Sequence, residues 1–86
     1  MKYKHNEHTI VVDRMIASLI MKIDGKVVDR VSGFSKSYNQ NSELHGLITN
    51  DDGTTTEVKA TVENNAITTI VTLYCDNQQV KQGILI

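Results

Sequence analysis

Proline and tryptophan are absent from the 86 residues, cysteine occurs once, and neither sign of charge is in marked excess. A lone Cys75 excludes an internal disulfide framework. No apolar run approaches the ~18 residues of a membrane-spanning helix. The polar opening Met1-Lys-Tyr-Lys-His-Asn-Glu-His offers no apolar core for a secretory signal, so the expected location is cytoplasmic. With 9 Lys and Arg against 10 Asp and Glu, the net charge is -1, and no whole-molecule field draws the chain to nucleic acid or anionic lipid. The few glycines, Gly25, Gly33, Gly46, Gly53 and Gly83, lie too far apart to cradle a phosphate, which sets nucleotide chemistry aside.

What is present is strand and turn chemistry. A 9.6 kDa chain has room for one small domain and one core. Thr, Val and Ile are abundant, and Asp24-Gly25, Asn50-Asp51-Asp52-Gly53, Asn64-Asn65 and Asp76-Asn77 punctuate the chain at hairpin intervals. In Thr55 to Glu63, Val58, Ala60 and Val62 alternate with Glu57, Lys59 and Thr61, as a strand with one buried face requires. Ile67 to Cys75 follows as its hairpin partner, with Val71, Leu73 and Cys75 on one face. Thr9 to Asp13, Lys26 to Val31 and Leu44 to Thr49 also read as strands.

Met15 to Ile23 fits helical as well as strand spacing. An internal repeat decides for strand. Leu19 to Val28 lies over Val71 to Val80 with apolar residues matched at Leu19/Val71, Met21/Leu73 and Ile23/Cys75, and turns matched at Asp24/Asp76. The Val-Thr-rich copy disfavours helix, so both are strands. The expected fold is all-β: a small antiparallel β-sandwich of six or seven strands built from two similar halves, spanning residues 9–86 behind a polar segment of residues 1–8. Its inner faces carry Val12, Leu19, Met21, Leu44, Val58, Val62, Val71 and Leu73, and the polar connection Gly33 to Ser42 crosses between the sheets.

The succession His8-Thr-Ile-Val-Val-Asp13, Ile23-Asp-Gly-Lys-Val27 and Leu73-Tyr-Cys-Asp-Asn-Gln78 resembles the β-sandwich module of the Fas apoptosis inhibitory molecule family, with its H-x-I strand, Y-V-D-G-K hairpin and late L-x-I-N-G-K hairpin. The resemblance spans His8 to Gly83 and implies the sandwich architecture. The chain lacks that family's tryptophan-rich segments and has Asn77-Gln78 where its second Gly-Lys stands, so no functional residues carry over.

No catalytic constellation emerges. His5, Glu7 and His8 offer two imidazoles and a carboxylate, but a zinc site needs three or four converging ligands, and only His45 and Cys75 remain to supply them. Cys75 alternates inward with Leu73 and reads as a core thiol rather than a nucleophile. Asn50 to Gly53 is a fragment of a calcium loop without the flanking helices, and a hairpin turn accounts for it. Asp52-Gly53-Thr54 inverts the aspartic protease signature. Lys22, Lys26, Arg30 and Lys36 are interrupted by Asp24 and Asp29, and read as strand-edge charges.

No enzyme activity, metal or cofactor is therefore expected. The function that remains is a non-enzymatic binding protein acting by surface contact with a larger macromolecule, such as a phage-encoded inhibitor of a host defence nuclease. The alternative is a homodimeric structural or accessory protein of a bacterium. The candidate contact residues are Phe34, Lys36 and Tyr38 in the polar connection, where aromatics among small polar residues either anchor the loop to its own core, as the single Phe34 could, or serve protein recognition. Ile16 and Ile20, on the face opposite Leu19, Met21 and Ile23, and the apolar Ile84 to Ile86 are either further sandwich core or a surface for a second chain, and join the candidates because exposed contiguous apolar surface marks interfaces.

Overall fold

The computed structural model describes residues 1–33, 40–65 and 67–85. They form eight strands: β1 Lys2–His5, β2 His8–Met15, β3 Ser18–Ile23, β4 Lys26–Ser32, β5 Gln40–Thr49, β6 Thr55–Asn64, β7 Thr69–Cys75 and β8 Gln78–Leu85. Each half is an antiparallel meander, giving sheets in the orders β1-β2-β3-β4 and β5-β6-β7-β8. The all-β class and paired sheets are those expected, with eight strands in place of six or seven. Met15 to Ile23 contains no helix. The polar segment of residues 1–8 is the site of the extra strand, because Lys2–His5 pairs with β2 from Lys2↔Val11 to His5↔His8. Its Lys-rich alternation is that of an exposed edge, which conceals a strand from any search for apolar pattern.

Turn chemistry sets the register. Asp24 and Gly25 at φ 53° and 83°, and Asp76 and Asn77 at φ 50° and 66°, form two-residue turns of the mirror-image kind that suits the twist of a hairpin. In each the aspartate also fastens a neighbouring strand. Asp24 N–H donates to Thr9 C=O while Thr9 N–H donates to Asp24 Oδ1, and Asp76 makes the same two bonds with Glu57. Bulges match too. Val28 is the extra residue between Met21↔Asp29 and Lys22↔Val27, and Val80 the extra one between Leu73↔Lys81 and Tyr74↔Gln79. These are equivalent positions of the sequence repeat, so the two sheets repeat one another in turn, bulge and cap.

The sheets pack their inner faces into one core. Ile10, Val12, Leu19, Met21 and Ile23 of the first meet Leu44, Ile48, Val58, Ala60, Val62, Val71, Leu73, Cys75 and Leu85 of the second. At one margin β5 lies against β3 and β4, and Gly46 permits it: a Cβ there would sit 2.9 Å from Ile23 Cδ1 and 3.0 Å from Val28 Cγ2. Asp29 Oδ2 accepts the His45 N–H across this seam at 2.7 Å. At the other margin Lys81 Nζ donates to the Lys2 carbonyl at 2.8 Å. Asp29 and Lys81 match in the repeat, so opposite charges at equivalent places close the two seams, one on a donor and one on an acceptor.

Candidate interaction surfaces

The seam contacts also fix which ends coincide. Lys2, opposite Val11, touches Lys81, opposite Leu73. Met1 lies beside Gly83, so β1 and β8 run in opposite directions, and one hollow is lined jointly by the β1–β2, β3–β4 and β5–β6 turns; the β2–β3 and β6–β7 turns therefore lie together at one end of the 43 × 21 × 16 Å molecule. The remaining described turns, β1–β2, β3–β4, β5–β6 and β7–β8, lie at the other.

The two ends differ in chemistry. The four-turn end carries Glu7, Asp24, Asp51, Asp52 and Asp76. A hollow there of about 660 Å³ is lined by Asn6, Glu7, His8, Asp24, Asn50, Asp51, Asp52 and Thr54. His8 Nδ1 lies 2.6 Å from Asp24 Oδ2. The hydrogen bond from His8, with a second from Thr9 N–H, holds the Asp24 carboxyl below the usual carboxylate range. Asp52 is lowered likewise by the Thr54 hydroxyl and N–H. These bonds are turn and cap bonds. Among the described residues no group of three or more His, Cys, Asp or Glu is placed to hold a metal ion. His45 stands apart, its Nε2 3.2 Å from Glu43 Oε1 on β5.

Among the described residues the opposite end exposes large apolar side chains. Ile16 at the β2–β3 turn is 99% exposed and Ile67 at the β6–β7 turn 90%, with Met15 and Ile84 also exposed nearby. Nothing in the turns requires these side chains, since a hairpin tip is served as well by a polar residue. Behind them the end is tied by polar bonds, with buried Thr69 Oγ1 2.5 Å from Asn64 Oδ1, and Gly33 N–H donating to Ala17 C=O.

Ile16 and Ile84 are exposed and Leu85 between Ile84 and the chain end is core, whereas Ile20 is 2% exposed and offers no surface. It points away from the inter-sheet core, as alternation requires, yet it sits mid-strand in β3 with Asp13 and Arg30 paired on either side. The outward face of a central strand is shielded by its neighbours' side chains, including the aliphatic stem of an arginine. Phe34, Lys36, Tyr38 and Ile86 lie outside the described residues. Cys75 is buried and its thiol is pushed up by desolvation, then by Asp76, which fits a core thiol and opposes a nucleophile.

Ile67 was missed by pattern reading, which placed it inside a strand. The polar run Asn64-Asn65 before it was the available signal, because Asn65 Oδ1 accepts the N–H groups of Ile67 and Thr68 and carries the turn past the isoleucine. A third surface lies along the β4–β5 seam, where a hollow of about 630 Å³ is lined by Val28, His45, Gly46, Leu47, Glu57, Val58, Lys59 and Asn77. No helix among the described residues is long and apolar enough to cross a membrane. Comparison with protein-family models, with curated proteins and with solved structures finds no match to this chain.

Proposed function

We propose that this protein is a non-enzymatic binding module that engages a larger macromolecule through its apolar end. The observation that carries the reading is the pair of isoleucines, Ile16 and Ile67, held almost wholly in solvent at the tips of two turns at one end. Each forgoes the burial, worth roughly 1.5–3 kcal/mol, that a large aliphatic side chain recovers when covered. Two such side chains presented at one end can each fill a pocket of a partner, as buried apolar anchors do at interfaces. Met15 and Ile84 extend the same surface.

The end face is too narrow for the ~800 Å² per partner of a standard interface between two equal surfaces. It suits insertion into a cleft of a larger protein, and a compact inhibitor of a host defence nuclease is one such arrangement. The test is affinity capture from cells of the source, comparing the natural chain with Ile16→Asp/Ile67→Asp. Both positions are exposed, so the melting temperature should hold while the captured partner is lost. Equal capture by both forms would remove the apolar end from the function.

A further inference from the structure

Among the described residues the sandwich has four edge strands, and three are blunted. β1 is four residues long and carries Lys2 and Lys4; β4 carries Lys26, Arg30 and the Val28 bulge; β8 carries Lys81 and the Val80 bulge. Short length, lysine and bulges are the devices by which natural sheets refuse a further strand. β5 has none of them. It runs ten residues, Gln-Asn-Ser-Glu-Leu-His-Gly-Leu-Ile-Thr, pairs with β6 without a register shift, and contains no lysine, arginine or proline. Beside it the seam leaves Val27, Val28 and Leu47 exposed. The equivalent seam between β8 and β1 has Tyr3 and Val80 packed on the core.

We infer that β5 is a self-association edge, pairing antiparallel with β5 of a second copy. The charge pattern selects the occupant. Glu43, His45 and Leu47 share the outer face of β5, and His45 pairs with Lys59 of β6. An antiparallel copy registered with Leu44 on the twofold axis sets each Glu43 opposite His45 of the second copy, one strand from Lys59, so the 3.2 Å Glu43–His45 contact within each chain is exchanged for two such contacts between chains. The edge is thus complementary to itself. In that register Leu47 lies opposite Asn41 of the second copy, so side-by-side pairing covers Leu47 of each copy beside the new strand.

The backbone groups needed are those of the odd-numbered residues, since the His45 N–H already points away from β6 to Asp29. Pairing exchanges that bond for one to the carbonyl of Glu43 of the second copy. Asp29 therefore competes with the second copy, and the dimer is weak and concentration-dependent.

Sedimentation velocity of the whole chain from about 1 to about 500 µM should show the mass moving from 9.6 kDa towards twice that value. Leu47→Lys, at an exposed position, should leave the circular dichroism spectrum unchanged and weaken the dimer about tenfold or more. Glu43→Lys alone should do the same by setting a cation against His45 and Lys59 of the second copy. The swap Glu43→Lys/His45→Glu restores complementarity and should recover dimerisation to within about threefold of the natural chain. Ile16→Asp should leave the dimer intact, which separates this edge from the apolar end. A monomer throughout the range would overturn the inference, as would a dimer indifferent to Leu47→Lys or one abolished by Ile16→Asp.

Discussion

Asp24 shows how much one side chain does in a chain this small. It supplies a left-handed turn residue at φ 53°, accepts the Thr9 N–H and pairs with His8 Nδ1, so it ties the β3–β4 turn to the start of β2. Its pKa is lowered, first by the His8 hydrogen bond, then by that from Thr9. A carboxylate whose folded pKa lies below its unfolded one contributes stability that is present above the unfolded value and is lost as pH falls through the folded one. An NMR titration of the Asp24 carboxyl should give a midpoint below 3.8, and Asp24→Asn should flatten the acid limb of the stability profile below that value. In the core, Leu73→Ala should cost about 2–5 kcal/mol in urea denaturation, because Leu73 is fully buried between the sheets. Glu57→Ala, with its exposed side chain, should cost under about 0.5 kcal/mol. Equal losses at the two positions would place β6 or β7 one residue out of register.

Hairpins were legible because their turn residues are chemically constrained, whereas edges were not. Asp24-Gly25 and Asp76-Asn77 could be recognised since few residues adopt positive φ cheaply, and both meet at the expected hairpins. Lys2–His5 escaped notice because an edge strand is selected to be polar, and Gln40 to Ser42 escaped for the same reason although they pair with Asn64 to Val62. The β2–β3 turn contains a local conflict: Ala17 holds φ 57° although it carries a Cβ. Ala17→Gly should therefore raise stability by about 0.5–1 kcal/mol, read as a higher urea midpoint at unchanged slope. Gly46 presents the reverse case. A valine there must push aside Ile23 Cδ1, Val28 Cγ2 and Met21 Sδ, and should cost about 1–3 kcal/mol by overpacking the seam between β5 and the first sheet.

The duplicated meander raises the question of whether the molecule is one cooperative unit or two. Composition and alternation foretold a single core, and the eight inner residues read from the sequence, Val12 to Leu73, all lie in it. They did not foretell that the halves correspond down to their bulges and seam charges, because a bulge and a cross-sheet bond depend on residues that meet only after folding. Each four-stranded half makes its strand-to-strand backbone ladder within itself, and the seam bonds of His45 to Asp29 and Lys81 to Lys2 each involve a side chain, so backbone pairing alone would let the halves unfold separately. Burial argues otherwise. A first sheet standing alone would expose Ile10, Val12, Leu19, Met21 and Ile23 to water, and at about 25 cal/mol per Å² of apolar surface that loss outweighs what local pairing returns. Thermal unfolding should therefore be two-state, with a calorimetric enthalpy equal to the van't Hoff enthalpy. Tyr3 in β1 and Tyr74 in β7 place a reporter in each sheet, and their ring resonances should disappear at one temperature. Leu19→Ala in the first sheet should lower the Tyr74 transition as much as the Tyr3 transition. A Tyr74 transition left in place by that substitution would mean that the second sheet holds its own fold and that the shared core joins two independent units.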